Sequence, residues 1–279
     1  MILENTIKQA SQLLKNHNII SHELDVQVIL SDIMGVTRDF FITNSHINVS
    51  KNTIKKFDHA IKRRIKREPV AYIIRKKEFW SQDFLVNQAT LVPRAETELL
   101  IYKVVDFFKN KRINILDIGT GSGCILLSIL KELDLSRGVG IDISTKAIKT
   151  AQTNSKNLNL FHRSKFKVFD ISKFNVGKYD LIVSNPPYIR SRDIKNLSKD
   201  IINYEPLVAL NGGIDGLDLI RKVIYKSASL LKKNGLFAIE IGFNQYLKVS
   251  SLLRKYGFRE MNRQCDYDHN VRCIISTKV

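Results

Sequence analysis

An amide, two prolines and an aromatic ring follow one of the most apolar stretches of this sequence. Asn185-Pro186-Pro187-Tyr188 comes directly after residues 181–184, Leu-Ile-Val-Ser, which are typical of a buried strand. Each proline fixes φ and lacks an N–H, so nearby carbonyls stay out of a regular ladder. The side-chain oxygen of Asn185 and the carbonyl of Pro186 can then grip a flat –NH2 group beside the ring of Tyr188. We predict Asn185, Pro186 and Tyr188 as catalytic, and all four residues as substrate-binding; the alternative is a strand ending in a Pro-Pro turn.

A glycine-rich turn joins a second apolar strand to a helix at residues 115–123, which read I-L-D-I-G-T-G-S-G. Glycines permit positive φ, and the first N–H groups of a helix point into the gap. The dinucleotide fingerprint would need a glycine at position 124, which is Cys124. An acid at Asp117 would repel a pyrophosphate but suits the cationic methionine end of S-adenosylmethionine. The residues predicted to bind this cofactor are Asp117, Gly119, Thr120, Gly121, Ser122 and Gly123.

Two more acids follow predicted strands and extend the candidate cofactor site. Asp142 lies 25 residues after Asp117, where a carboxylate can accept both ribose hydroxyls. The alternative is that Asp142 or Ser144 caps the following helix. Asp170 ends the next strand and either hydrogen-bonds the adenine amino group or forms a simple strand-end turn. We predict both acids as cofactor-binding, together with Asn185.

The first part of the chain has the periodicity of helices. Apolar residues at helical spacing predict helices over 3–17, 23–35 and 50–67. We expect a helical domain over residues 1–75 and a linker over 76–95. Within the linker, segments 78–86 and 89–93 predict a short hairpin.

Strands alternate with helices in the remaining residues, 96–279, which favours a parallel sheet covered on both faces. The last two strands, 258–264 and 271–277, predict an antiparallel hairpin. A ligand crevice is expected at the carboxyl ends of strands 113–118 and 180–185, where the sheet order reverses. The other predicted elements are strands 138–142, 165–170 and 235–241, and helices 123–133, 145–157, 216–232 and 245–256.

Several blocks of sequence together resemble the glutamine methyltransferases that modify bacterial class 1 peptide chain release factors. N-P-P-Y alone is shared with methyltransferases that act on base amino groups, whereas the blocks at 67–80 and 93–98 favour this family. Two positions depart from its usual pattern. Arg75 occupies a position where this family usually has a glycine, and Ala95 one where it usually has a second proline. The matching blocks are 67–73, 78–80, 93–98, 117–123, 185–189, 204–206, 209–216 and 240–242.

The resemblance implies an α/β fold with a class I, Rossmann-like methyltransferase sheet, preceded by a small all-α domain that docks the substrate. It implies transfer of a methyl group from S-adenosyl-L-methionine to the side-chain amide nitrogen of a release-factor glutamine, which modulates translation termination. The product would be S-adenosyl-L-homocysteine, and no metal is expected. The protein partner is then a class 1 release factor, met in the cytoplasm.

Composition agrees with this class but leaves other partners open. The 279 residues have 45 basic and 27 acidic side chains, a net charge of +18. Such an excess indicates a polyanionic partner or simply solvated helix faces; stable nucleic-acid binding is not required for methyl transfer. Cys124, Cys265 and Cys273 have no metal-ligand spacing. Neither a signal peptide nor an apolar run of about 20 residues is evident, so we expect no membrane association.

Two alternatives from other classes remain at the sequence level. A nucleic-acid amino methyltransferase, acting on DNA adenine or ribosomal RNA guanine, would share N-P-P-Y and the basic charge, but would usually carry a base-recognition module. A non-catalytic RNA- or ribosome-binding protein would keep the cofactor fold without its chemistry. The joint presence of Asp117, Asp142, Asn185 and the three loop glycines argues against such decay.

Overall fold

The amphipathic helices at the start of the chain bury their apolar faces against one another, as described by a computed structural model of residues 1–279. They form one unit, Met1–Lys76, which also includes Ser198–Tyr204. Leu14, Leu30 and Phe57 are fully buried at its centre. The helices are α1 (Leu3–Asn16), α2 (His22–Met34), α3 (Phe40–Thr43), α4 (Lys51–Ile65) and α5 (Val70–Ile73).

A buried arginine joins three segments of this helical unit. The Nε of Arg64 in α4 lies 2.6 Å from Oδ2 of Asp25 in α2. Its Nη1 lies 2.7 Å from Oδ2 of Asp200, which belongs to the ninth helix along the chain, α9 (Lys199–Ile202). Because Arg64 and Asp25 are both buried, each compensates the charge of the other.

Arg75 has the backbone conformation that glycine adopts most readily. Its φ is 57°, in the left-handed region that L side chains enter at a cost. A glycine at this position, as in the family pattern, would fit the same turn without that cost. Ala95, the other departure, begins a 3-10 turn over Ala95–Thr97.

The second unit comprises Lys77–Leu197 and Glu205–Val279 and begins with a short hairpin. Its strands are β1 (Lys76–Phe79) and β2 (Gln82–Leu85). The prediction that residues 89–93 form part of this hairpin was wrong. Trp80 and Ser81, with φ of 50° and 53°, complete the turn in two residues, because a tight hairpin requires positive φ at both central positions.

The segment after this hairpin becomes helical later than its proline suggests. Pro93 and Arg94 stay irregular, and the 3-10 turn of Ala95–Thr97 follows. The helix α6 (Glu98–Phe108) then begins. It lay outside the predicted elements, and the irregular stretch before it borders the cavity described below.

A seven-stranded sheet forms the centre of the second unit, in the order β5-β4-β3-β6-β7-β9-β8. All neighbours are parallel except β9, which runs antiparallel to both β7 and β8. The predicted mostly parallel sheet with a C-terminal antiparallel hairpin is therefore confirmed. The strands are β3 (Asn114–Ile118), β4 (Arg137–Asp142), β5 (Ser164–Val168), β6 (Tyr179–Ser184), β7 (Leu231–Glu240), β8 (Phe258–Cys265) and β9 (Val271–Lys278).

Helices cover both faces of this sheet, as the alternation of elements predicts. Adjacent residues of β3 divide between the two faces: Ile115 packs into one apolar cluster and Leu116 into the other. Residues of α6, α7 and α8 join the first cluster, and residues of α10 and α11 join the second. These helices are α7 (Cys124–Glu132), α8 (Thr145–Asn157), α10 (Asp218–Leu230) and α11 (Tyr246–Lys255).

No helix of the protein combines the length and apolar character that crossing a bilayer requires.

The order of the strands in the sheet determines where a ligand can bind. After β3 the chain continues outward to β4 and β5, and then returns to form β6 on the other side of β3. A crevice therefore opens between the carboxyl ends of β3 and β6.

Candidate active site

A cavity of about 530 Å³ lies at these carboxyl ends. Its volume falls in the range that holds a small-molecule ligand or cofactor. The glycine-rich loop after β3 and Asn185 after β6 both line it. Predicted site residues in the lining are Gly119, Thr120, Gly121, Ser122, Asp142, Asp170, Asn185 and Pro187.

The glycine-rich loop opens its backbone toward the cavity. Gly119 and Gly121 have φ of 75° and 56°, and a Cβ on either would meet no atom within 4 Å. The loop is held from behind by hydrogen bonds from the N–H groups of Gly119 and Thr120 to the carbonyl of Ile141, at 2.9 and 3.0 Å. Positive φ at the two glycines therefore lets the chain turn without closing the space in front of it.

The third loop glycine has a packing role in this structure. Gly123, with φ of 81°, precedes α7 and is not among the residues that line the cavity. A Cβ at Gly123 would approach Ala151, Leu127 and Phe166 at 3.2 Å. The cofactor-binding role predicted for Gly123 stays a prediction, and any such role acts through the position of α7.

Asp142 supports the loop and still reaches the cavity. Its Oδ2 accepts a hydrogen bond from the N–H of Gly121 at 3.0 Å, and its Oδ1 accepts from the N–H of Ser144 at 2.9 Å. Ser144 caps α8, because its Oγ accepts from the N–H of Ala147 at 3.2 Å. The cap that the sequence left open between two residues thus belongs to Ser144. Each carboxylate oxygen of Asp142 retains capacity for a second donor.

Asp117 lies fully buried behind the glycine-rich loop. Thr120 donates a hydrogen bond to its Oδ2 at 2.6 Å, while its Oδ1 has no hydrogen-bond partner. Burial is the largest cause of a raised pKa, to about 7; the Thr120 hydrogen bond opposes the rise and the charge of Asp142 adds to it. Asp117 is not among the residues that line the cavity, so its predicted contact with the cofactor stays a prediction.

This raised pKa predicts how stability depends on pH. The unfolded Asp117 loses its proton near 3.8 and the folded one near 7, so its contribution to stability is lost as pH rises through that window. Asp117→Asn should remove this loss from the cofactor-free protein. Melting temperatures measured across the window test it, with Asp134→Asn, an exposed carboxylate, as the charge-matched control. Equal pH slopes in the two variants would contradict the prediction.

Asn185 is held by its nitrogen and presents its oxygen. Its Nδ2 donates to Oγ1 of Thr97 at 3.1 Å, while its Oδ1 accepts no hydrogen bond within the protein. The carbonyl of Pro186 likewise accepts none. Pro186 is buried and does not line the cavity, whereas Asn185 and Pro187 do. The structure therefore provides the unpaired acceptors that the sequence indicated, with Asn185 the one that faces the cavity.

Tyr188 lies just outside the cavity lining and is tied to the sheet. Its hydroxyl donates to Oε1 of Glu240 at 3.3 Å, and its carbonyl accepts from Nε2 of Gln245 at 3.0 Å. Burial, followed by the charge of Glu240, raises the pKa of the Tyr188 phenol. The phenol therefore stays protonated as a donor, and the catalytic and substrate-binding roles predicted for Tyr188 stay predictions.

Glu240 and Thr97 are site residues that sequence reasoning missed. Thr97 donates to Oε2 of Glu240 at 2.6 Å, and the two residues are 3 % and 3 % exposed. Burial raises the pKa of Glu240 to about 7, against the hydrogen bonds from Thr97 and Tyr188. Both lie in blocks quoted above for the family resemblance, 93–98 and 240–242, but those blocks gave no sign that they touch.

Asp170 borders the cavity and also has the structural role that the sequence left open. The strand β5 ends at Val168, two residues earlier than predicted, and Oδ1 of Asp170 accepts from the N–H of Ser172 at 2.8 Å. It thereby caps a 3-10 turn at Ile171–Lys173. Its predicted contact with the adenine amino group stays a prediction.

An ion pair to a buried carboxylate fixes the irregular stretch that borders the cavity near Pro93. Nη2 of Arg94 lies 2.6 Å from Oε1 of Glu205, whose side chain is 2 % exposed. The other oxygen of Glu205 accepts from the N–H of Val92 at 3.3 Å. Pro206, the next residue, lines the cavity, so the ion pair positions two walls at once.

The turn before α10 is organised by its own side chains. Oδ1 of Asn211 accepts hydrogen bonds from the N–H of Gly213 and from Oγ of Ser191, at 2.9 and 2.8 Å. The helix begins at Asp218, two residues later than predicted. Asn211 and Gly213 also line the cavity, so this turn borders the site.

The donor set of this cavity fits S-adenosylmethionine. Oγ of Ser122, a residue of the cavity lining, has no hydrogen-bond partner within the protein. Asp142 stands at the end of β4 where ribose hydroxyls can be accepted, and open space lies over Gly119 and Gly121. A sheet of this topology with such a crevice defines a class I methyltransferase-type α/β domain.

Comparisons with known proteins agree with this class. A family model described as "PrmC N-terminal domain" matches residues 5–74, and one described as "Methyltransferase domain" matches residues 109–267. A methyltransferase structure from Pyrococcus furiosus is 15% identical, with a TM-score of 0.54 over 82% of this chain and 99% of that one. At this identity the likeness concerns the fold.

Full-length relatives narrow the class to one family. The release factor glutamine methyltransferase of Clostridium acetobutylicum is 35% identical over 100% of this chain and 99% of its own. That of Caulobacter vibrioides is 36% identical over 96% of this chain and 94% of its own. The chain belongs to the release factor glutamine methyltransferase family.

Proposed function

We propose that this protein transfers a methyl group from S-adenosyl-L-methionine to the side-chain amide nitrogen of a glutamine in class 1 peptide chain release factors. The observation that carries the proposal is the state of Asn185, which lines the same cavity as the glycine-rich loop and whose side-chain oxygen has no hydrogen-bond partner within the protein. The relatives named above are release factor glutamine methyltransferases, which supports this substrate. In the cell, the reaction would modify termination factors in the cytoplasm, and it requires no metal.

The residues that would hold the cofactor are those of the loop and the strand ends. Gly119 and Gly121 offer open backbone, and Asp142 has oxygens for the ribose hydroxyls. Asp170 borders the same cavity at the expected adenine end. When bound, S-adenosylmethionine supplies an electrophilic methyl group on a sulfonium centre.

The protein must also orient the glutamine amide that accepts the methyl group. A glutamine amide nitrogen is a poor nucleophile because its lone pair is delocalised into the carbonyl. Oδ1 of Asn185 and the carbonyl of Pro186 can each accept one N–H, which directs the nitrogen toward the methyl donor. Positioning of this kind supplies about 7–11 kcal/mol when the geometry is tight. The proton leaves after transfer, when the alkylated nitrogen is strongly acidic.

We assign the helical segment, residues 1–75, the role of docking the release factor, with 76–95 as linker and 96–279 as the catalytic domain. The match of residues 5–74 to an N-terminal domain model supports a separate module. The helical unit also exposes large apolar side chains, among them Ile20 and Ile42.

One incubation tests the substrate. Purified protein is mixed with labelled S-adenosylmethionine and, in separate reactions, with release factor, DNA or ribosomes. Label on a single release-factor glutamine, located by peptide mass spectrometry, is the expected result, and a release factor with that glutamine replaced is the control. Label on nucleic acid alone would overturn the proposal in favour of an amino methyltransferase of bases, which the net charge of +18 permits.

A further inference from the structure

A chain of three hydrogen bonds runs from a buried carboxylate to the amide of Asn185. Tyr188 and Thr97 donate to the two oxygens of Glu240, and Thr97 in turn accepts from Nδ2 of Asn185. The four residues come from three segments of the second unit: the 3-10 turn before α6, the residues after β6, and the end of β7. Thr97 and Glu240 have no other role in the reaction described above.

These hydrogen bonds determine which way round the side-chain amide of Asn185 lies, since an asparagine amide can adopt two orientations. Its oxygen accepts and its nitrogen donates, yet the two ends have nearly the same size, so packing alone does not choose between them. Only the orientation with Oδ1 toward the cavity can accept an N–H from a substrate amide. The flipped orientation would present Nδ2, a donor, to another donor.

A threonine hydroxyl by itself does not choose either, because it can donate or accept. Glu240 removes that freedom. A carboxylate oxygen only accepts, so at 2.6 Å the hydroxyl proton of Thr97 must point to Oε2. Oγ1 of Thr97 then has only lone pairs to offer Asn185, and only the –NH2 end of the amide can meet them.

The direction of these hydrogen bonds holds when Glu240 is ionised, and also when it is protonated on Oε1. If Glu240 takes up a proton on Oε1, on the side of Tyr188, Oε2 remains a bare acceptor for Thr97. Because Glu240 is buried, water does not compete for either oxygen. The second donor, Tyr188, fixes the carboxylate from the opposite side.

We propose that Thr97 and Glu240 are positioning residues that set the orientation of the Asn185 amide, so that its oxygen faces the substrate –NH2. The inference rests on the proposed function for the identity of that substrate. It adds two residues, which lie 143 positions apart in sequence, to those that orient the substrate amide. They act through Asn185 and do not touch the reacting atoms.

The test compares Thr97→Val, which removes the hydroxyl at nearly constant volume, with Thr97→Ser, which restores it. For Thr97→Val we expect kcat to fall about 10- to 100-fold, as for other residues that orient a functional group. The KM for release factor and the Kd for S-adenosylmethionine should stay within about 3-fold, because neither contact is removed. Thr97→Ser should keep kcat within about 3-fold of the unaltered protein.

Thr150 provides a matched control for the loss of a buried threonine hydroxyl. Oγ1 of Thr150 also accepts from an asparagine –NH2, that of Asn87, at 2.9 Å, and Thr150 is 4 % exposed. Thr150 does not line the cavity. Thr150→Val should lower the melting temperature while kcat stays unchanged. Equal kcat values for the two valine variants, or a serine variant as slow as Thr97→Val, would overturn the proposal.

A direct readout separates this inference from the proposed function. In protein labelled with 15N-asparagine, the side-chain –NH2 signals of Asn185, assigned through Asn185→Ala, should shift in Thr97→Val and return in Thr97→Ser. If the unaltered protein fails to methylate release factor but these signals behave as stated, the orienting chain stands and the proposed substrate falls. Identical signals in all three proteins would contradict the inference that Thr97 sets the orientation of the Asn185 amide.

Discussion

Replacing Asn185 with alanine is expected to lower turnover on release factor about 10²–10³-fold while leaving cofactor affinity nearly unchanged. Asn185 lines the cavity and its side-chain oxygen accepts no hydrogen bond within the protein, so this oxygen is available to an incoming donor. Losing one such preorganised partner in an active site commonly costs about 2.7–4 kcal/mol of barrier. Single-turnover methylation and titration of S-adenosylmethionine binding measure the two quantities separately.

The control for this variant is Asn175→Ala, at an exposed asparagine that does not line the cavity. It should have normal turnover and normal cofactor affinity. If Asn185→Ala turned over within a few-fold of the unaltered protein, Asn185 would have no part in the mechanism, and the grip on the amide would have to come from backbone carbonyls alone.

Much of the cofactor half of this site follows from local sequence, because it depends on short-range geometry. The turn at Gly119 and Gly121 needs positive φ, which glycine provides, and the strand before it is apolar throughout. Alternation of strands and helices then fixes where the loop lies, since parallel strands place their carboxyl ends together. The loop, Asp142 and Asn185 could therefore be placed at one crevice from sequence alone.

The contacts that orient Asn185 could not be predicted in the same way, because they are long-range. Thr97 and Glu240 meet across 143 positions, and Asn185 reaches Thr97 across 88. Each looks ordinary in its local context: Thr97 lies in a helix-start pattern, and Glu240 ends a strand. Only packing of the 3-10 turn against β7 and β6 brings the three side chains together. The same limit applies to the complete burial of Asp117, which depends on the surrounding fold and is not visible in the local sequence.

The buried arginine of the helical unit gives the largest expected effect on stability. Arg64→Met should lower the free energy of unfolding of this unit by about 3–5 kcal/mol, because removing one partner leaves a buried charge uncompensated. The Arg64 side chain is 6 % exposed and that of Asp25 is 9 % exposed, so water can replace the lost partner only poorly. The loss should appear as faster amide hydrogen exchange throughout α2 and α4, whose rates report the local free energy of opening.

Lys56→Met is the matched control, since it removes one positive charge from the exposed face of the same helix. It should change the free energy by no more than about 0.5 kcal/mol. The double variant Arg64→Met with Asp25→Leu should recover part of the loss, because the remaining charge is removed with its partner. Exchange rates in Arg64→Met that match those of Lys56→Met would show that the arginine compensates nothing. A double variant less stable than the single one would show that Asp25 stabilises the unit through contacts other than Arg64, such as its hydrogen bond from Ser21.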